Sequence, residues 1–317
     1  MSKNETTGIT SRPIRGDEDF QRVRDLLIDT HSITPPGFNW EIRRWDGWRY
    51  YNQNAGWDQN WEKLVRLWET DSGRLVGVAH PEGSGDVHLE IHPDYRSSIE
   101  EEMLIWAEKN LSQPSEGGPR ELVAFCYEYD RDRHNLLKKR DYEQLDRGAI
   151  FYLMRLGSGS IPSPTIPTGY NLRETLPDNH DDAQRIADII NAAFKRTQHN
   201  AEEFLVFQKH AGCYRSELDL VIEAPDGTFA SYVGLPYDEK NRYGIFEPVC
   251  THPDHTRKGL AQALMFEALR RAKEIGAVCA STETGATMAA NRLYESIGFT
   301  ETYNLHVWRK SLPGAEG

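Results

Sequence analysis

Apolar residues along this chain recur at two periods, a helical one and short extended runs, and the two alternate in the same order in both halves. Leu260, Leu264, Ala268, Ala272 and Ile275 stand at helical spacing with Arg270, Arg271 and Lys273 between them, which predicts a helix over 260–275. Another helix is expected over 181–194, with strands at 219–223, 228–233, 243–249, 278–281 and near 305–309. The first half predicts a helix at 19–28, a hairpin of 74–79 with 86–91, a helix at 99–111, and strands at 122–127 and 149–155. A helix, an antiparallel meander, a second helix and further strands make an α/β (α+β) fold, a mixed and mostly antiparallel central sheet flanked by helices. The halves also match in detail. Ile14-Arg15 and Leu172-Arg173 are 158 positions apart, and His92-Pro93-Asp94 precedes His252-Pro253-Asp254 by 160. Near-constant offsets point to a duplicated domain. The Gly-, Ser- and Pro-rich stretch 157–168 reads as a linker between domains 1–156 and 169–317.

The chemistry concentrates where the strand ending near Val249 meets the helix that opens at Leu260. The connection reads Thr251-His252-Pro253-Asp254-His255-Thr256-Arg257-Lys258-Gly259-Leu260-Ala261. Cations at a helix start oppose the helix dipole, and a bound anion compensates that placement. Gly259 lets a ligand approach the backbone. A second segment, Asn291-Arg292-Leu293-Tyr294-Glu295-Ser296-Ile297-Gly298-Phe299, reads as a short helix with a glycine stop before a strand.

Together these segments resemble the GCN5-related N-acetyltransferases (GNAT). The turn is similar to their acyl-CoA motif, Arg/Gln-x-x-Gly-x-Gly/Ala, and the later segment to their Asn-x-x-Tyr-x-x-x-Gly-Phe signature. The resemblance covers about residues 170–310 and implies acetyl-CoA as co-substrate. It implies cofactor contacts at Val249, Cys250, Thr251, Arg257, Lys258, Gly259, Leu260, Ala261 and Asn291. Thr256 stands where the family has Arg or Gln, and Thr287 where many members have a second asparagine. The first half follows its own His-Pro-Asp with Ser97-Ser98-Ile99-Glu100-Glu101-Glu102, with no glycine and three carboxylates that repel a pyrophosphate. Leu137 occupies the place of Tyr294. The first half therefore reads as a degenerate copy.

Acyl transfer to an amine needs a polarised acyl carbonyl, a neutral amine and a protonated leaving thiolate. Pro248 cannot donate to a sheet ladder and so favours a bulge or a splayed edge beside Val249. By resemblance Tyr294 is the general acid. Glu247, one residue before Pro248, is the favoured general base, with Glu283 as the alternative and His252 a weaker one, since the same histidine recurs at His92.

Six of the eight tryptophans lie between Trp40 and Trp68. Trp40 and Trp45 are candidate walls of an acceptor pocket, the alternative being an interdomain core. The net charge of −12 disfavours nucleic acid. Four scattered cysteines without metal-ligand spacing, a polar N-terminal stretch and the absence of a long apolar run indicate a cytoplasmic protein without metal or membrane association. The expected activity is acetyl transfer to a primary amine of a small molecule. The alternative is a non-catalytic acyl-CoA sensor or interaction scaffold.

Overall fold

The computed structural model describes residues 8–51, 61–115, 118–285 and 288–312. Trp57 and Thr287 lie outside them. In chain order the elements begin with β1 (Ile9–Pro13), α1 (Gly16–His31), α2 (Ile42–Tyr50), β2 (Arg66–Thr70), β3 (Leu75–His80), β4 (Asp86–Ile91) and α3 (Arg96–Asn110). They continue with β5 (Gln113–Pro114), β6 (Arg120–Tyr127), α4 (Arg131–Lys139), β7 (Glu143–Arg155), β8 (Asn171–Glu174), α5 (His180–Phe194) and α6 (Ala201–His210). The remainder are β9 (Asp219–Glu223), β10 (Phe229–Gly234), β11 (Tyr237–Asp238), β12 (Tyr243–Ile245), β13 (Val249–Thr251), α7 (Leu260–Glu274), β14 (Cys279–Gly285), α8 (Met288–Ile297) and β15 (Glu301–Leu312). The expected α/β layering is present, and residues 157–168 contain no helix or strand.

Two compact units emerge, and they are not colinear with the halves read from the sequence. One contains Met1–Glu41, Asp58–Ile150 and Tyr303–Gly317; the other contains Ile42–Trp57 and Phe151–Thr302. The second unit thus gains α2 from the first half, and most of β15 belongs to the first unit.

In the first unit the strand order is β1-β2-β3-β4-β6-β15, antiparallel except for the parallel β4–β6 pair. Ile99, Met103, Leu104 and Ala107 of α3 bury their apolar stripe with Val76, Val87, Leu89 and Ile91. In the second unit an antiparallel sheet of order β13-β10-β9-β8 packs Val221, Phe229, Tyr232 and Cys250 with Ala183, Ile186 and Ile190 of α5 and Phe204 of α6. In the same unit β12 pairs with β14 in parallel and with β11 antiparallel.

The duplication is visible in side-chain chemistry. Arg12 of β1 bridges Asp19 of α1 at 2.5 Å and Glu69 of β2 at 2.6 Å. Arg173 of β8 bridges Asp182 of α5 at 2.7 Å and Glu223 of β9 at 3.0 Å. Each trio ties a strand, the helix that follows it and a neighbouring strand, at corresponding places in the two halves.

Candidate active site

The sequence from β13 into α7 folds as a tight turn whose backbone is left open. His252 accepts from the Asp254 N–H through its side chain at 3.3 Å, and His92 does the same for Asp94. The shared histidine is thus a turn-former in both units. Arg257 and Gly259 take φ values of 61° and 76°. No atom lies within 4 Å of the place a Gly259 Cβ would occupy, and no side chain caps α7. The N–H groups of Leu260 and Ala261 therefore open the helix without a side-chain acceptor, an arrangement suited to a diphosphate. Arg257, Lys258 and Gly259 are exposed. Lys258 Nζ donates to Tyr170 Oη at 2.9 Å, and that hydroxyl meets His255 Nδ1 at 2.9 Å. Asn291 carries a buried Oδ1 with no hydrogen-bond partner among the described residues. An uncapped helix start, an open glycine and an orphaned acceptor together fit a coenzyme A moiety.

The strand expected over 243–249 is divided between two sheets. Strand β12 runs parallel to β14 as far as Ile245 opposite Ser281, and Phe246 N–H still donates to Ser281 O at 2.8 Å. One residue later Glu247 N–H donates to Gly234 O at 3.1 Å, and β13 proceeds along β10. The strands therefore part at Glu247-Pro248, where proline has no N–H to hold the ladder together. Pro248 O and His252 N–H bond to Gly234 and Ala230, which places Cys250 in an inward-facing pair with Tyr232. Ser231 Oγ also donates to Cys250 O at 2.8 Å. Of the three backbone positions expected to serve an acyl chain, Val249 and Thr251 direct their groups to the open edge, whereas Cys250 is committed to β10. Burial pushes the Cys250 thiol up to about 12, which leaves no thiolate for covalent catalysis.

Tyr294, Thr282 and Glu247 converge at this fork. Tyr294 is buried against Tyr152 and Phe299, with ring centroids 5.4 and 5.9 Å away. Burial raises its phenol pKa, opposed by a hydrogen bond with Thr282 and reinforced by the Glu247 charge. A phenol held in its protonated form is suited to give a proton to a departing thiolate. Both candidate bases meet arginines of α2. Arg43 Nη1 lies 3.5 Å from Glu247 Oε1, and Arg43 Nε donates to the Glu247 carbonyl at 3.4 Å. Arg44 Nη1 lies 3.6 Å from Glu283 Oε1. Sequence reasoning missed these arginines, because their role depends on α2 joining the second unit.

Beside Glu247 lies a small cleft walled by Tyr51, Phe204, Phe207 and Tyr214, with Gln208, Arg215 and Asp219 also in its lining. Tyr51 stacks on Phe207 at 4.3 Å between centroids. Asp219 is buried and accepts from Thr175 Oγ1 at 2.5 Å, Tyr232 Oη at 2.7 Å and Tyr214 Oη at 3.4 Å. Desolvation raises its pKa to about 6 despite these donors. Trp40 and Trp45 are not among the residues that line this cleft. Trp45 is fully buried and stacked on Trp48. Trp40 belongs to the first unit, where its Nε1–H donates to His88 Nδ1 at 2.9 Å. Large rings at these positions serve packing, and smaller ones line the cleft.

Asp219 makes stability pH-dependent with a definite sign. The folded carboxyl titrates near 6 and an unfolded one near the ordinary carboxylate value, so ionisation penalises the fold increasingly as pH rises from 4 to 6. The stability difference between Asp219→Asn and the parent is expected to move in the variant's favour by up to about 3 kcal/mol as pH rises from 4 to above 6. Thermal denaturation of both proteins across that range checks this.

Residues 183–299 match the family model for the acetyltransferase (GNAT) family. Among solved structures it is similar to a GCN5-related N-acetyltransferase from Sphaerobacter thermophilus, at 18% identity and a TM-score of 0.64 over 98% of both chains. It is also similar to a tandem GNAT protein from the clavulanic acid biosynthesis pathway, at 14% identity and a TM-score of 0.64, over 96% of this chain and 98% of that one. An acetyltransferase from the GNAT family of Colwellia psychrerythraea gives 12% identity and a TM-score of 0.58, over 95% of this chain and all of the other. These likenesses establish a tandem GNAT fold. No curated protein matches the sequence. Among the described residues no helix is long and apolar enough to cross a membrane.

Proposed function

We propose that the protein is a cytoplasmic N-acetyltransferase that moves an acetyl group from acetyl-CoA to a primary amine of a small molecule by direct attack in a ternary complex. The observation that carries this reading is the fork at Glu247-Pro248, beside which Tyr294, Glu247 and an aromatic cleft lie together. Acetyl-CoA, when bound, supplies the activated thioester. The open turn at Arg257, Lys258 and Gly259 and the first amides of α7 hold its diphosphate, and Asn291 offers an acceptor beyond. The outward backbone groups of Val249 and Thr251 align the acyl arm. Glu247 takes the proton of the amine, and Tyr294 returns one to the sulfur. The deeply buried, high-pKa thiol of Cys250 favours direct attack over an acyl-enzyme. Catalysis falls to domain 169–317 rather than 1–156, although residues 42–51 of the latter border the site through Arg43 and Tyr51. In domain 1–156, Glu100 is held by Arg96 and Arg133, each at 2.7 Å, at the start of α3.

Free-thiol release from acetyl-CoA across a panel of amines tests the activity. Coenzyme A binding with no turnover on any amine would favour the acyl-CoA sensor. Tyr294→Phe is expected to lower kcat about 10- to 100-fold with little change in amine KM, because the hydroxyl acts only as the sulfur departs. Steady-state kinetics with one accepted amine measures the split, and full turnover by the variant removes Tyr294 as the acid.

A further inference from the structure

Arg43 is a charge whose place in the second unit packing alone does not explain. It is buried in the first turn of α2, where a cation opposes the helix dipole. Its guanidinium lies 5.0 Å from the ring centroid of Tyr51 and 5.5 Å from that of Phe207. The hydrogen bond it donates among the described residues runs from Nε to the Glu247 carbonyl at 3.4 Å, and Nη1 lies 3.5 Å from Glu247 Oε1. Burying a guanidinium costs more than a long ion pair with a half-exposed carboxylate returns, and the two rings offset only part of that. Gly47 is a second sign. Glycine inside a helix weakens it, yet a Cβ here would collide with Arg43 Nη1 and lie 3.3 Å from Tyr51 Cδ2. Helix α2 thus gives up helix propensity one turn beyond Arg43 and keeps the room in which the guanidinium lies.

The geometry points to Arg43 as a positioning residue for the acetyl transfer: holding both the carbonyl and the carboxylate of Glu247, it aims the other carboxylate oxygen, Oε2, at the acceptor amine. This assignment rests on Glu247 being the base of the proposed transferase. A glutamate where two strands part has many rotamers to lose. A guanidinium seated between two rings restricts them without competing for the amine proton, because it only donates. The half read as degenerate then takes part in catalysis through one helix.

Steady-state kinetics on the full chain, with an amine accepted in the thiol-release panel, compares the parent with variants at Arg43, Gly47 and Glu247. Arg43→Met is expected to lower kcat about 10- to 100-fold, with amine KM within about threefold and coenzyme A affinity within about twofold. Arg43→Lys keeps the charge and should stand at least about threefold above Arg43→Met. Gly47→Ala raises helix propensity, leaves every charge in place and displaces the guanidinium. It should lower kcat about 3- to 10-fold, and it serves if Arg43→Met does not fold. In a Glu247→Gln background Arg43→Met should cost less than about twofold, because no base is left to aim. Parental turnover by Arg43→Met, or a loss undiminished in that background, overturns the proposal and leaves Glu247 as the base if its own variant collapses. Parental turnover by Glu247→Gln, or no turnover on any amine, overturns the base assignment and this proposal with it.

Discussion

Glu247→Gln is expected to lower kcat/KM for an amine acceptor by about 100- to 10,000-fold at neutral pH, the range general-base catalysis covers. The carboxylate sits where β12 and β13 part, half-exposed toward the cleft, with Arg43 held beside it. Gln keeps the shape and can still accept from Arg43, so the loss isolates proton transfer from packing. The exposed partner of this ion pair contributes little to stability, about 1 kcal/mol or less, and the variant should fold. The defect should also shrink as pH rises toward the ordinary amine pKa of about 10, because the acceptor then arrives neutral and needs no base. Glu283→Gln serves as the comparison; with its carboxylate near Arg44 at 3.6 Å, it should lose less than about tenfold. Neutral-pH kinetics in which the Glu247 variant matches the parent and the Glu283 variant collapses would exchange their roles.

The elements that flank the turn before α7 were legible because their signals are local. Leu260 to Ile275 repeats at helical spacing, and the helix ends at Glu274. Strand β9 spans the residues expected for it, and α5 starts one residue early, with Asn179 capping the Asp182 N–H. Pro248 forecast the fork, since a residue without an N–H leaves a mark in the sequence. Helix α6 escaped notice although Asn200 caps the N–H of Glu203 and Phe204 and Phe207 share a face; that capping pattern was available to be read. Helix α4 buries only Arg133 and Leu137, too little for a hydrophobic stripe. The exchange of α2 into the second unit has no local signature at all. Arg43 and Arg44 stand interleaved in a tryptophan-rich run, and nothing local says that the chain brings them to Glu247 and Glu283. For the same reason Trp40 and Trp45 looked like pocket walls, whereas the cleft is lined by Tyr51, Phe204 and Phe207, whose proximity depends on long-range folding.

Gly259→Asp is expected to weaken coenzyme A binding by at least about 100-fold while the protein remains folded. At φ 76° a side chain costs about 1–2 kcal/mol in backbone strain, and Asp is among the residues that tolerate it best. An acid at a helix start recovers roughly 0.3–1 kcal/mol through the dipole, so the melting temperature should move by only a few degrees. The space is there too, since nothing lies within 4 Å of the new Cβ. What changes is the electrostatics of the turn. A carboxylate caps the amides of α7 and occupies the place of a diphosphate, leaving like charges a few ångströms apart. Gly259→Asn makes the discriminating control, with the same shape and backbone demand but no charge, and should retain affinity within about tenfold. Calorimetry at low and high salt separates the contributions, because charge repulsion at an exposed turn weakens with ionic strength and steric exclusion does not. If Gly259→Asp binds coenzyme A as tightly as the parent, the diphosphate lies elsewhere, and the open turn before α7 is only a connection between strand and helix.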